Sequence, residues 1–107
     1  SSFYLEVGLR VLIKHIIEKG AELEFALIPI YGHYNYHYYR AYFQKRKGSK
    51  RIEKLIENIG YISWCPNCDY RGVGEKNECP ICKKRMIKLG PLYLGEIWKF
   101  ELNRRDY

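Results

Sequence analysis

The sequence predicts an α+β fold in which two helices pack on a small antiparallel sheet, next to a lobe built around four cysteines. Three observations support this prediction: two segments with apolar residues at helical spacing, an alternating segment between them, and two C-x-x-C pairs in the second half. A length of 107 residues and an apolar share of 47% allow one compact unit with a hydrophobic core. Two independent enzymatic domains do not fit in this length.

The first predicted helix covers residues 5–19. Apolar residues recur there at helical spacing from Leu5 to Ile17, while charged residues such as Arg10 and Lys14 line another face. Gly20 follows the periodic segment, so we expect the helix to stop at this glycine.

Two strands are predicted after this helix. Alternating apolar residues from Leu23 to Leu27 indicate the first strand, and Pro29 and Gly32 then interrupt the pattern, which predicts a bent connection. The second strand covers residues 36–45 and is half-buried. Its core-facing side chains are Tyr39, Ala41 and Phe43, and its outer, aromatic and basic side carries Tyr38, Arg40, Tyr42 and Gln44.

A second, short helix is predicted after Gly48 and Ser49, which supply a turn and an N-cap, and it ends before Gly60. A short strand over residues 61–64, the cysteine segment and an apolar tail follow. We therefore divide the chain into an α+β core at residues 1–60 and a lobe with a C-terminal strand segment at residues 61–107, packed together as one domain.

The cysteines follow the pattern C-P-x-C, ten residues, C-P-x-C, and they are Cys65, Cys68, Cys79 and Cys82. Each pair can form one tight knuckle, and two knuckles supply the tetrahedral sulfur set that Zn²⁺ prefers. Two disulfides are the first alternative, which the absence of any secretory signal disfavours. A thioredoxin-like redox pair is the second, and Pro66 and Pro80 disfavour it because they suit turns. Four thiolates leave no open coordination position, so this zinc-ribbon-like lobe is expected to hold a structural zinc ion.

The charge of the chain favours a polyanionic partner. Nineteen Lys and Arg residues against twelve Asp and Glu give a formal charge of +7. Five of these cations lie within residues 45–51, at the start of the second predicted helix, where unpaired backbone amides favour phosphate. The alternative is a solvated turn whose charge serves only solubility. The candidate RNA-binding residues are Arg40, Lys45, Arg46, Lys47, Lys50 and Arg51, with Tyr38 and Tyr42 as candidates for stacking on bases.

Several common classes of protein are disfavoured. The chain has neither an apolar stretch of about 20 residues nor a signal-peptide pattern, so we expect a cytoplasmic monomer without membrane contact. It has no Walker loop, G-x-G-x-x-G, H-E-x-x-H or G-x-S-x-G motif, so no active site is expected in these residues. Because the chain starts at Ser1 and its single methionine is Met86, we expect a fragment or a processed product.

Five segments carry a resemblance to a known family. They are E-V-G-L-R-V-L at residues 6–12, H-Y-Y-R-A-Y at 37–42, G-S-K-R at 48–51, I-G-Y at 59–61 and G-P-L-Y-L-G at 90–95. In this order they resemble the C-terminal domain of the tRNA (guanine(26)-N(2))-dimethyltransferase family. Ser49 and Tyr93 depart from the family pattern, which usually has alanine and tryptophan there.

The resemblance implies an upstream methyltransferase domain of the same polypeptide, absent from this chain. That domain would bind S-adenosylmethionine and methylate the exocyclic amine of a guanine in tRNA. The chain itself would bind tRNA and help to present guanine 26 to the catalytic pocket, and no catalytic or cofactor-binding residue is carried over to it. The alternative is a free-standing zinc-ribbon adaptor that binds RNA or protein.

Overall fold

The computed structural model describes residues 2–97 and 99–102, and side chains are described for residues 3–97. The elements in this part of the chain are α1 (Ser2–Glu22), β1 (Ala26–Tyr34), β2 (Tyr39–Arg46), α2 (Ser49–Glu57), β3 (Ile59–Trp64), β4 (Arg71–Val73), β5 (Ile87–Tyr93) and β6 (Lys99–Leu102). The strands form two three-stranded sheets, with the orders β2-β1-β6 and β4-β3-β5. The predicted α+β class, with two helices and antiparallel pairing, is confirmed.

The strand arrangement differs in detail from a single antiparallel sheet. Strands β3, β4 and β5 form a sheet of their own, and β6 pairs with β1 in parallel, with Tyr31 opposite Lys99 and Tyr34 opposite Leu102. A parallel pair needs a long crossover rather than a tight turn, so no local signal in the sequence indicates this pairing. This pair joins β1, which precedes residue 60, to β6, which follows it. The division of the chain at residue 60 stays a prediction.

Helix α1 continues through Gly20 to Glu22, so the predicted stop at Gly20 is wrong. Gly20 is buried, and a Cβ atom on it would lie 2.7 Å from the side chain of Leu27. The glycine therefore allows close approach of α1 to β1. The chain turns at Glu24, which has a left-handed φ of 65°. Neither helix in residues 2–97 and 99–102 has the length and apolar character needed to cross a bilayer.

The hydrophobic core forms where α1 lies against both sheets. Leu9, Ile13 and Ile17 of α1 are buried, and they belong to one cluster with Ala26 of β1 and Tyr93 of β5. The helical spacing of the apolar residues predicted this inward face of α1 correctly. Burial of each such side chain contributes about 1.5–3 kcal/mol, so α1 is the main connection between the sheets.

Strand β1 continues through Pro29 and Gly32, so the predicted bent connection is wrong. The irregularity appears instead as a shift of register between Pro29 and Tyr31, which a β-bulge accommodates within the β1–β2 pair. The turn after β1 depends on Asn35, whose buried side-chain Oδ1 accepts hydrogen bonds from the backbone amides of His37 (2.7 Å) and Tyr38 (3.0 Å). This turn returns the chain into β2.

Strand β2 has the predicted alternation from Arg40 to Gln44, but the prediction is wrong before this point. Tyr39, predicted to face the core, is 38% exposed, and Tyr38, predicted on the outer side, is half-buried and precedes the strand. Ala41 and Phe43 are half-buried and pack against the core cluster, while Arg40, Tyr42 and Gln44 are exposed. One side of β2 is therefore available to solvent.

Arg10 joins α1 to the end of β5 by a polar contact. Its Nη1 atom donates hydrogen bonds to the carbonyl oxygens of Tyr93 (2.7 Å) and Gly95 (3.0 Å), and its Nε atom donates to the Glu6 carboxylate (3.0 Å). The Arg10 side chain is only 14% exposed. The guanidinium group thus holds the strand end against the helix.

We expect Arg10→Ala to lower the free energy of unfolding by about 2–3 kcal/mol, because hydrogen bonds to a charged group contribute about 1.5–3 kcal/mol. Arg10→Lys should recover only part of this loss, since an ammonium group lacks the planar fork of donors. Urea denaturation followed by circular dichroism measures both variants. Lys19→Ala is the control, because its exposed ion pair with Glu22 contributes less than about 1 kcal/mol. Equal losses for Arg10→Ala and Lys19→Ala would contradict the role of Arg10.

Candidate metal centre and nucleic-acid interface

The four predicted zinc ligands meet in the lobe around β3, β4 and β5. Their Sγ atoms all lie within 4.8 Å of one another. The Sγ atoms of Cys65 and Cys82 are 3.4 Å apart, and those of Cys68 and Cys79 are 3.5 Å apart. Tetrahedral Zn²⁺ with bonds of about 2.3 Å would place its sulfur ligands about 3.8 Å apart. The sulfur set fits this ion with only small adjustments.

The two cysteine knuckles repeat the same backbone geometry. The carbonyl oxygen of Cys65 accepts a hydrogen bond from the Asp69 amide (2.8 Å), and that of Cys79 accepts one from the Lys83 amide (3.0 Å). In both knuckles the amide of this first cysteine donates to the carbonyl oxygen five residues further on, at 2.8 Å. Asp69 and Lys83 also share a left-handed φ, of 67° and 65°. Each knuckle therefore directs two sulfur atoms to a common centre.

The ionisation of the thiols shows why this cluster suits a cation. The backbone amide of Lys84, and then the side chain of Asn67, lower the pKa of the Cys82 thiol to about 6. The backbone amide of Tyr70 acts to lower the pKa of Cys68, but desolvation and hydrogen bonds with the other three thiols outweigh it and raise that pKa to about 12. Four sulfur atoms this close cannot all be negative unless a cation lies among them.

Aromatic contacts attach the first knuckle to helix α1. The Trp64 Nε1 atom donates a hydrogen bond to the Asp69 carboxylate (2.6 Å), which also accepts one from Arg71 (3.0 Å). The Trp64 ring makes an edge contact with Tyr4 of α1 at a centroid distance of 5.6 Å. The Arg71 guanidinium carbon lies 3.8 Å from the centre of the Phe3 ring. The position of the sulfur cluster relative to α1 is therefore fixed by packing.

The predicted RNA-binding cations form two groups. Arg40 lies near the start of β2, beside the turn, and the other group follows at the opposite end of this strand. With a rise of about 3.3 Å per residue, the distance from Arg40 to Arg46 is about 20 Å. All six cations are exposed. The members of the second group, here named the basic segment, are Lys45, Arg46, Lys47, Lys50 and Arg51.

The basic segment leads directly into helix α2. Gly48, with a φ of 128°, occupies the N-cap position and no side chain bonds to the first amides of the helix, so the predicted cap at Ser49 is wrong. The Arg51 guanidinium donates a hydrogen bond to the carbonyl oxygen of Lys47 (3.1 Å). The Lys45 ammonium lies 4.0 Å from the centre of the Phe25 ring. The positive end of the helix dipole thus coincides with a cluster of side-chain cations.

The two candidate tyrosines have different surroundings. Tyr38 is half-buried, its ring stacks on His33 at 5.6 Å, and the Arg40 guanidinium lies 4.9 Å from its centre. Tyr42 is 50% exposed and makes an edge contact with Tyr31 at 5.4 Å. Tyr42 therefore offers more ring surface to a base than Tyr38 does.

A cavity of about 220 Å³ lies next to the basic segment, and the sequence did not predict it. It is lined by Ile28, Arg51, Lys54, Leu55, Asn58 and Tyr93. Arg51, Lys54 and Leu55 lie on one face of α2, and Asn58 follows as its C-cap. Their spacing of three and four residues is the local signal for this face. The other two come from β1 and β5, so only the folded chain shows the cavity.

Comparisons with known proteins agree on one family. The family model described as N2,N2-dimethylguanosine tRNA methyltransferase matches residues 1–105. The tRNA (guanine(26)-N(2)/guanine(27)-N(2))-dimethyltransferase of Aquifex aeolicus is 40% identical to the chain over 112 residues, which cover 100% of this chain and 29% of that protein. The tRNA (guanine(26)-N(2))-dimethyltransferase of Sulfurisphaera tokodaii is 41% identical over 103 residues, covering 94% of this chain and 28% of that protein.

A solved structure shows the same fold. It is the complex of Trm1 from Pyrococcus horikoshii with S-adenosyl-L-methionine. The match covers 88% of this chain and 24% of the Trm1 chain, with a TM-score of 0.70 and 24% sequence identity. The chain spans less than a third of the length of the curated relatives named above. Because the family match extends over nearly every residue, the chain belongs to the N2,N2-dimethylguanosine tRNA methyltransferase family.

Proposed function

We propose that this chain is the tRNA-binding C-terminal domain of an S-adenosylmethionine-dependent tRNA (guanine-N(2)) dimethyltransferase. One observation carries the proposal: the family match covers residues 1–105, while these residues correspond to 29% of the Aquifex aeolicus enzyme. Binding of S-adenosylmethionine and methyl transfer belong to an upstream domain of the same polypeptide. The protein acts as a monomer in the cytoplasm.

The surface of β2 and α2 supports the tRNA-binding role. The basic segment is exposed, lies at a helix N-terminus and adjoins the outer face of β2, where Arg40 and Tyr42 are also exposed. Contacts of this kind with phosphates fix the register and orientation of a nucleic acid without reading its sequence. The domain would thereby present guanine 26 to the catalytic pocket of the upstream domain, with Tyr42 and Tyr38 as the candidates for stacking on unpaired bases.

The sulfur cluster would hold one structural zinc ion. Four thiolates complete a tetrahedral coordination sphere, so the ion would stabilise the lobe and not activate water. The buried cluster around the sulfur atoms is small: it consists of Cys65, Cys79 and Met86, with Tyr70 and Cys82 packed against them. A core of this size needs a further link between its segments, which zinc would supply.

We expect the purified, untagged chain to contain about one equivalent of zinc, because its four sulfur atoms match the coordination of one ion. Removal of the ion by a chelator should lower the melting temperature, and Cys79→Ser should have the same effect. Elemental analysis and thermal melting measure the two quantities. Addition of chelator to the Cys79→Ser variant is the control and should change nothing further. A metal content below half an equivalent, together with a melting temperature that the chelator does not change, would disprove the zinc site.

We expect Arg46→Ala to weaken tRNA binding and to reduce the steepness of log K against log salt by about one. The reason is that a variant with one phosphate contact fewer releases fewer counterions from the RNA when it binds. Fluorescence anisotropy with labelled tRNA over a series of salt concentrations measures this slope. Lys76→Ala removes the same charge from the cysteine lobe and should leave the slope unchanged. An unchanged slope for Arg46→Ala would remove this residue from the interface. Equal affinity for tRNA and for unstructured RNA of the same length would argue against specific docking of tRNA.

A further inference from the structure

The cavity beside the basic segment, here named the α2 slot, has an apolar floor that is already formed. Leu55 and Tyr93 are 7% and 5% exposed and belong to the main core cluster, against which Ile28 also packs. The Tyr93 carbonyl accepts the hydrogen bond from Arg10, and the Leu94 amide donates to the Asn58 carbonyl oxygen at 2.7 Å. These bonds tie the end of β5 to α1 and the residue after β5 to the C-cap of α2. The floor therefore does not have to rearrange before it receives a ligand.

The rim of the α2 slot is positive. Arg51 and Lys54 are exposed, and no carboxylate is present among the six residues that line the cavity. Arg51 uses a guanidinium donor for the Lys47 carbonyl oxygen, but a guanidinium has five N–H donors, so others are available for an anion. The charge of the rim selects a ligand with an anionic group.

The size of the α2 slot limits its ligand. A volume of about 220 Å³ is below the range of roughly 300–1,000 Å³ typical of sites for drug-sized molecules. A single flat nucleobase fits such a space, whereas a base-paired helix or an extended peptide does not. An apolar floor for a ring, with cations at the rim for an anion, matches the two parts of one nucleotide.

We infer that the α2 slot binds one unpaired nucleotide of the RNA, with its base on the floor of Ile28, Leu55 and Tyr93 and its phosphate between Arg51 and Lys54. This inference rests on the proposed function, because the RNA must already lie on the basic segment, which shares Arg51 with the slot. It adds Lys54 to the interface and assigns a base-binding role to a surface of α2 that carries no exposed aromatic ring.

Affinity for tRNA tests the role of the rim. Loss of one phosphate contact at 0.15 M salt corresponds to about fivefold weaker binding, so Lys54→Ala should weaken binding of the zinc-loaded chain by this factor. Lys54→Arg should restore most of the affinity because it keeps the charge, and Lys76→Ala is the control. If Arg46→Ala weakens binding while Lys54→Ala behaves like Lys76→Ala, the slot is excluded and the proposed tRNA-binding role stands. If none of these variants weakens binding, the proposed function fails as well.

Nucleotide probes test the role of the floor. Guanosine 5′-monophosphate at millimolar concentration should shift the methyl NMR signals of Ile28 and Leu55, and ribose 5-phosphate at the same concentration should not. Lys54→Ala should weaken the response to the nucleotide. Equal responses to the two probes would show a phosphate site without a base pocket and would overturn the inference. A response to an acidic peptide but not to the nucleotide would assign the slot to a protein partner, and no response to any probe would also overturn it.

Discussion

The packing of helix α1 against both sheets is the contact on which the rest of the structure depends. Leu9, Ile13 and Ile17 lose almost all contact with water there, and Arg10 adds charged hydrogen bonds to the carbonyl oxygens at the end of β5. The sheet that leads to the basic segment and the sheet that supports the sulfur cluster share this helix. Apolar burial therefore sets the relative position of the two sheets, and salt does not weaken this interaction. The proposed binding of RNA, in contrast, depends on surface charges that salt screens.

The cations of the basic segment lie outside the hydrophobic core, on the surface where β2 ends and α2 begins. The cations of the basic segment repel one another, and an arrangement of this kind is favourable only in water or against an anion. It lies where β2 ends and α2 begins, so the strand and the helix fix the backbone on either side of the repelling charges. The α2 slot lies at the boundary between this positive surface and the core, where a flat ring and a phosphate can be bound together.

The cysteine knuckles and the buried face of α1 are set by neighbouring residues and were predicted from the sequence, whereas features set by contacts between distant residues were not. The spacing of the cysteines predicted the convergence of four sulfur atoms because each knuckle is closed by hydrogen bonds within a few residues. Helical periodicity predicted the buried face of α1 in the same way. The sequence does not reveal the role of Gly20, because this role is contact with Leu27 on another element. It does not reveal the α2 slot either, because β5 supplies part of its floor.

The parallel pairing of β6 with β1 has a consequence for synthesis of the chain. Strand β1 is synthesised before its neighbour on one side, which is formed by residues 99–102, about 70 positions later. Until then one edge of β1 has open backbone groups, and an open strand edge is a site of unwanted association. Completion of the first sheet must therefore wait for residues 99–102, whereas the β1–β2 pair can form earlier and the cysteine knuckles can close as soon as Lys84 has emerged.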